Sequence, residues 1–424
     1  MKNMFSSFWH RLFMPNENTH TQNTHTKAFY NDALVALSPL GEARWTPRNY
    51  AAFADEGFRQ NVIVHRCVNE IARSIALVPL GLHRKNVQKK VEEVFLDHPL
   101  LSLLKRPNPL QGGAAFIESL ISSWLISGNA YLEVITDDAG IPKELHVLRP
   151  DRMKVIPGNH GLPQGYVYTI EDQVIKYAAD PISGQSNILH LKLYHPLDDW
   201  YGMSPIEAAA FSIDQHNAAG AHNQALLQNG ARPMGALIYR PKSGSVMTEG
   251  QRESLKNQVE SNYVGAKNAG KVLVLEGDFE WREMGLRPRD MDFIAAKNTA
   301  ARDIAQAFGM PPVLIGIPGD ATYSNLVEAR IALWEQTIIP LLDHMNDALN
   351  NWLVPRFLKD IELTYDLDQV PALAPRRQMV WDKIRQADFL TVNEKRQALG
   401  YPPLNDKLMD KFVLKSPHSG AHVP

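Results

Sequence analysis

Residues 290–352 hold two long helical periodicities separated by a break that no helix can cross. In the first, Met291, Ile294, Ala301, Ile304, Ala305 and Phe308 recur at spacings of three and four, forming one apolar stripe with Asp290, Lys297 and Asp303 off it. Gly309 follows, then Met310-Pro311-Pro312. Neither proline has an N–H to donate, and the ring of Pro311 pushes Met310 out of the α region, so the helix must stop there. A second helix is expected to start at Asn325, whose side chain can accept from an orphan N–H while Glu328 reaches back; such a cap contributes about 1 kcal/mol. Trp334, Ile338, Leu341, Met345, Leu349 and Trp352 then form a second stripe. Pro340 sits inside it, removes the bond to the carbonyl of Gln336 and costs roughly 3 kcal/mol in an ordinary helix, so one bent helix held by tertiary packing is expected. Two long helices joined by an irregular Pro/Gly loop suit a lining or moving element better than an active site.

Upstream, Val64, Val68, Ile71 and Ile75 share a helical face within residues 61–77, ahead of a break at Pro79 and two short strands, PLGLHRK and VEEVFL. Residues 114–127 read as a helix burying Phe116, Ile117, Leu120, Ile121, Trp124 and Leu125, with Gly128 as its C′ residue. AYLEVIT, a DDAG turn, ELHVLR and MKVI extend this into a β-rich unit reaching about residue 203. Ser204-Pro205-Ile206-Glu207 is the clearest helix start in the chain, with Ser as N-cap, Pro at N1 and Glu at N3, and Asn229-Gly230 is its stop. Ala208, Ala209, Ala210, Ala218, Ala219, Gly220 and Ala221 lie between them, small residues that let helices approach closely. Large apolar anchors are few there, so burial of this helix is expected to depend on partner subunits. Residues 231–287 then read as strand GALIYR, a helix over 248–263, strand KVLVL and strand FEWREM. Toward the end, a helix runs through Met379, Trp381 and Ile384, and Thr391 with Glu394 caps a last short helix ending at Gly400.

Composition narrows the function classes. With 44% hydrophobic and 21% charged residues, the 424-residue chain is ordinary globular material, not a disordered one. The single Cys67 leaves no intramolecular disulfide to form and reads as a small core residue. No run of eighteen or more apolar residues occurs, so no membrane partner is expected. The opening MKNMFSSFWHRLFM lacks a small-residue cleavage site, and residues 1–45 read as a mobile tail in which His20 and His25 are polar filler. A net charge of −2 argues against a tight phosphate grip, because counterion release needs clustered Lys and Arg.

Three groups of residues invite chemistry. Residues 265–271, GAKNAGK, fit the G-x-x-x-x-G-K pattern of a nucleotide-binding loop, the basis of an alternative reading as a DNA-handling ATPase. Yet the order here is helix, loop, strand, and Val272 stands where a Mg²⁺-binding hydroxyl belongs, so no helix N-terminus can face a phosphate. His190, His195, Asp198 and Asp199 resemble metal ligands in type, but strand alternation puts the two His residues on opposite faces and the acids suit a turn. Asp320, Tyr323 and Ser324 have no base nearby in sequence to make a nucleophile. No catalytic residue, metal or cofactor is therefore assigned.

AFGMPPVLIG followed by ATYSN and a long helix resembles the core of the HK97-type bacteriophage portal proteins. HPLLSLLKRPNP, GNAYLEV, YGMSPIEAA, QNGARPMGAL, NAGKVLVLEG and TVNEKRQALGYPPL resemble the same family in its usual order, over roughly residues 60–405. That resemblance implies an α+β portal fold. Its parts would be a wing at 46–203, a first stem helix at 204–230, a clip at 231–287 and a second stem helix at 288–309. A tunnel loop at 310–325, a kinked helix returning to the wing and crown at 326–370, and a crown at 371–424 would follow. It also implies a ring, a dodecamer at one capsid vertex, closed by heterologous contacts. Through this ring double-stranded DNA would be packaged by the large terminase subunit and later ejected. Further partners would be a head–tail connector and the major capsid protein, with the virion as final location and the host cytoplasm as place of assembly. A gene transfer agent or prophage particle would use the same device. Ile317, Pro318, Gly319, Asp320, Ala321, Thr322 and Tyr323 would form the loop beside DNA, with Gly and Pro setting its shape and no Lys or Arg at its tip. Ser204, Pro205, Glu207, Lys297 and Arg302 would belong to the stems, and Arg252, Glu253 and Lys256 to a terminase-docking face.

Overall fold

The computed structural model describes residues 46–86, 91–158, 161–228, 235–239, 248–263, 279–283, 293–317, 323–358, 360–401, 403, 404, 406 and 408–411. A short helix α1 (Tyr50–Ala52) widens into a π-helical stretch, Phe53–Arg59, and leads to α2 (Val62–Ala76). Asn61 starts α2, its Oδ1 accepting from the N–H groups of Ile63 and Val64. The predicted face is buried: Val64, Val68, Ile71 and Ile75 are at most 1% exposed. Cys67 joins them, its thiol pushed up to about 12 by burial, as a packing residue should be.

β1 (Leu80–Asn86) pairs antiparallel with β2 (Val91–Phe95) on one side. Its other side takes β11 (Ile361–Tyr365), from the far end of the sequence, with Leu82 opposite Leu363. After α3 (Pro99–Lys105), α4 (Gly113–Ser127) packs across α2 and buries every residue expected of it. β3 (Asn129–Thr136) follows directly and forms the centre of a second antiparallel sheet between β4 (Pro142–Leu148) and β8 (Ile188–Lys192). β5 (Met153–Ile156), β6 (Gly165–Ile170) and β7 (Gln173–Ala178) make a third sheet in that order, leaving β7 as an edge.

The helix read from Ser204 is in two pieces, α5 (Pro205–Ala208) and α6 (Ala210–Gln228), because Ala209 leaves the helical region at ψ 3°. Its stop at Asn229-Gly230 lies outside the described residues. β9 (Gly235–Tyr239) pairs antiparallel with β10 (Phe279–Glu283), and α7 (Glu249–Tyr263) lies between them in sequence. KVLVL and the GAKNAGK loop fall outside the described residues, as do residues 1–45 with His20 and His25.

α8 (Phe293–Ala307) packs along α6 and buries Ala301, Ile304 and Ala305, with Phe308 just beyond it. Ile294 departs from the expected stripe and is 74% exposed. The long helix begins earlier than its capping signal: α9 (Tyr323–Leu333) already contains Asn325, so Asn325 and Glu328 are helix interior and not a cap. The proline problem is solved by widening. A π turn, Trp334–Ile338, lets the N–H of Ile339 reach the carbonyl of Trp334, and Pro340, which has no N–H to donate, follows directly in α10 (Ile339–Trp352). Helix therefore continues from 323 to 352. Leu342, outside the predicted stripe, is fully buried with Ile338, Met345 and Leu349, while Leu341 and Trp352 only flank the core. Asn346 and Asn350 fasten α10 to β11: both Nδ2 groups donate to the carbonyl of Leu363 (3.0 and 2.8 Å). Finally come α11 (Ala374–Gln386), which buries no residue, and α12 (Val392–Ala398) with the expected Thr391–Glu394 capping box, both bonds present.

Candidate channel elements and docking surfaces

Ser204 does more than cap α5. Its Oγ accepts from the N–H of Ile206 (3.0 Å) and donates to the carbonyl of Leu125 in α4 (2.8 Å), fixing where the helical segment leaves the sheet region. Just before it, two glycines cross. A Cβ on Gly202 would sit 2.2 Å from the carbonyl oxygen of Gly128, and one on Gly128, at φ +76°, would sit 2.4 Å from that of Gly202. Asn129 locks the crossing. Its Oδ1 accepts from Gly202 N–H (2.7 Å) and His190 Nε2 (2.9 Å), while its Nδ2 donates to the carbonyls of Ser127 and Gly202. His190 must then carry its proton on Nε2. Burial, with a lesser push from Lys192, holds its pKa down to about 3, and it stacks on Tyr131 at 4.4 Å.

Five side chains, those of Thr46, Asn61, Asp214, His216 and Asn217, tie α6 to the start of the described chain. Asn61 Nδ2 donates to Asn217 Oδ1 (2.9 Å) and to His216 Nδ1 (3.2 Å), and Asn217 Nδ2 donates to the carbonyl of Glu56 (2.9 Å). Asp214 accepts from the backbone N–H of Thr46 and from its hydroxyl. His216 is buried and its pKa is lowered, first by desolvation and then by Lys297 of α8. Lys297 is half-buried, Arg302 and Asp303 are exposed, and Ser212 Oγ donates to Asp303 Oδ2 (3.3 Å) across the α6–α8 pair. Further along α6, residues 221–224 are exposed or half-buried, and a Cβ on Gly220 would meet nothing. Pro205 and Glu207 are half-buried in the first turn, but Glu207 does not reach back to the N–H of Ser204, so the cap is one-sided.

The loop after α8 is anchored at both described ends. Gly309 adopts φ +62°, and a Cβ there would lie 2.4 Å from Thr337 Oγ1 in the π turn, whose hydroxyl donates to the carbonyl of Gly309 (2.9 Å). Met310 is buried, a single 3-10 turn spans Pro312–Ile315, and Ile317 is 9% exposed within the core. Ile317 is thus an anchor and not part of an exposed tip. Pro318, Gly319, Asp320, Ala321 and Thr322 lie outside the described residues, and Tyr323 opens α9.

On α7, Thr248 acts as the cap: Gln251 Oε1 accepts from its N–H (3.0 Å) and Gln251 N–H donates to its hydroxyl (3.4 Å). Arg252 and Glu253 are exposed, and Lys256 follows about a turn later on the same helix. The strand expected to carry both His190 and His195 is shorter than its pattern. β8 ends at Lys192, so His195 is not in the strand; its Nδ1 accepts from Leu197 N–H, and Asp198 Oδ1 accepts from the N–H groups of Trp200 and Tyr201. No three His, Cys, Asp or Glu side chains converge on a metal position, and no helix is long and apolar enough to cross a membrane, among the described residues. Sequence reasoning missed the Gly128–Asn129–Gly202 crossing and the Asn61 hub. Their only local signal was a Gly-Asn pair closing a helix and a lone Asn before another.

Comparison with known proteins agrees along nearly the whole chain. The family model described as "Phage portal protein" matches residues 62–400. An uncharacterized protein of Rickettsia bellii (strain RML369-C) is 46% identical over 351 residues, covering 83% of this chain and 89% of the relative. The portal protein of Enterobacteria phage HK97 is 25% identical over 405 residues, covering 93% and 87%. Among solved structures, a chain of the neck of a native gene transfer agent particle, computed with C12 symmetry, is 45% identical with a TM-score of 0.65, covering 85% of this chain and 95% of that one.

Proposed function

The chain belongs to the phage portal protein family, and from that premise we propose that twelve copies close head-to-tail into a ring that conducts double-stranded DNA into and out of a particle. The observation that carries the number twelve is the likeness, at 45% identity, to a neck chain solved with C12 symmetry. In this reading α6 and α8 are the stems bordering the channel, leaving the α/β wing at the Ser204 junction and displaying Lys297 and Arg302. The segment between Ile317 and α9 would face the DNA, with Ile317 in the core on one side and Tyr323 opening α9 on the other. The β9–α7–β10 segment is the clip, where Arg252, Glu253 and Lys256 meet the large terminase subunit and later a head–tail connector. α11 and α12 belong to the crown. The wing faces the major capsid protein, and assembly takes place in the host cytoplasm.

The action is mechanical. A near-balanced chain, 44 Lys and Arg against 46 Asp and Glu, gives duplex phosphates little to grip, so the duplex slides through a shaped opening. ATP hydrolysis is left to the packaging motor. The test is particle assembly with and without this chain, scored by nuclease-resistant DNA. Particles lacking it are expected to be empty; equal DNA content in both would refute the function. Replacing Lys271 with Ala in the isolated protein addresses the alternative, since an ATPase activity lost with that change would favour it.

A further inference from the structure

The junction at Asn61 allows each of its side chains a single orientation. Asn61 is fully buried at the start of α2, and its Oδ1 accepts from the N–H groups of Ile63 (3.0 Å) and Val64 (3.2 Å). Its amide cannot turn over without stranding both of those donors. Nδ2 is thereby fixed as the donor, with one hydrogen for Asn217 Oδ1 (2.9 Å) and one for His216 Nδ1 (3.2 Å). Asn217 is held the same way round, since its own Nδ2 donates to the carbonyl of Glu56 (2.9 Å). His216 Nδ1 must accept, so the imidazole is neutral and carries its proton on Nε2.

A proton on Nδ1 would set two donors against each other where water is excluded. His216 is buried, and Asn61 is its hydrogen-bond partner among the described residues. The acids on the surrounding elements are engaged elsewhere. Asp55 of the π-helical stretch pairs with Arg59 (2.6 Å), Asp303 of α8 takes the hydroxyl of Ser212 (3.3 Å), and Asp214 of α6 takes the N–H and hydroxyl of Thr46. Glu56 meets the junction through its carbonyl. The other charges are cations: Lys297 and Arg302 on α8, and Arg48, whose guanidinium carbon lies 5.2 Å from the centre of the Phe211 ring. Desolvation, and after it Lys297, holds the His216 pKa below its ordinary 6.5, so the contact is complete above that pH and is lost as pH falls below it.

We propose that the Asn61–His216 contact is a proton-released latch, so that acid unfastens α6 from the start of α2 and from the π-helical stretch before it. Only the description of α6 as a stem rests on the function proposed above; the latch is built within one chain. The geometry also supplies a pivot. α5 stays fastened to α4 through Ser204, whose bonds involve no titratable group, and the helix is interrupted at Ala209, with φ −90° and ψ 3°, between that fixed turn and α6. Release at His216 therefore leaves α6 free to turn about Ala209 while its entry point from the wing stays in place.

Amide hydrogen exchange of the full chain, followed by mass spectrometry from pH 7.5 to 5 and divided by the rates of an unstructured peptide at each pH, reads the latch locally. Peptides over 62–66 and 212–218 are expected to lose about tenfold in protection as pH falls below 6.5, the equivalent of one buried hydrogen bond, while those over α4 and β3 keep theirs. His216→Asn puts an amide oxygen in reach of Asn61 with no group to titrate, and protection there should persist to pH 5. Lys297→Met removes the cation that opposes the proton, so release should begin at a higher pH; this variant carries the test if His216→Asn does not fold. His190→Gln should leave the local loss unchanged, which separates the latch from the acid sensitivity of the Asn129 crossing. No local loss in the unaltered chain, the same loss in His216→Asn, or an unmoved midpoint in Lys297→Met would each overturn the latch. Electron microscopy of the same samples scores ring formation separately, so a failed latch and a failed ring give different results.

Discussion

Replacing Gly309 with Ala perturbs the base of the proposed tunnel loop in two separable ways. First, an L-residue at φ +62° pays the left-handed penalty, about 1–2 kcal/mol. Second, the new methyl carbon would stand 2.4 Å from Thr337 Oγ1, so Thr337 must rotate and give up its 2.9 Å bond to the Gly309 carbonyl, about 0.5–1.5 kcal/mol more. The sum is roughly 1.5–3.5 kcal/mol. Thr337→Ala alone should cost about 1 kcal/mol, and in that background Gly309→Ala should retain only the backbone share, because the obstructing hydroxyl is gone. Urea unfolding of dispersed subunits, with unchanged slope, reads these values, and the double-mutant cycle isolates the coupling. Strict additivity would refute the reasoning, since it would mean that the side chain on the π turn does not constrain the loop.

Other outcomes follow from the same contacts. His190 has its folded pKa held down to about 3 by burial against an ordinary value of 6.5, so its contribution is complete above pH 6.5 and is lost as pH falls through that window. Stability should therefore drop by on the order of 1 kcal/mol per pH unit below 6.5, with His216, shifted the same way, adding to it. His190→Gln, which keeps a donor for Asn129, should flatten the profile of thermal melts between pH 6 and 4, and an unaltered profile would contradict this. Asn61→Ala removes both cap bonds of α2 and the donations to Asn217 and His216, an expected loss of about 2 kcal/mol in the same unfolding assay. A loss under about 0.5 kcal/mol would show that α6 is not held through this residue. Asn129→Ala should cost about 3 kcal/mol, because it strands the N–H of Gly202 at a crossing too tight for water.

Local rules carried the reading wherever one element decided its own fate. The faces of α2 and α4, the stop at Gly309 and the Thr391 capping box were all legible from spacing and backbone chemistry. What escaped was decided by partners distant in sequence. β11 pairs with β1 across most of the chain, and no periodicity announces that. Asn325 looked like a cap, yet α9 starts before it. Pro340 announced a disturbance but not its form, since a π turn relieves the clash without ending the helix. Ile317 read as a loop residue because Gly and Pro surround it, but burial in the core is a tertiary fact.

The central claim is that many copies of this chain surround an opening, and electron cryomicroscopy of the purified assembly addresses it directly. Closed rings with twelvefold symmetry and a central channel bordered by α6 and α8 are expected. Particles that stay single at high concentration, or an assembly whose centre is filled, would contradict it.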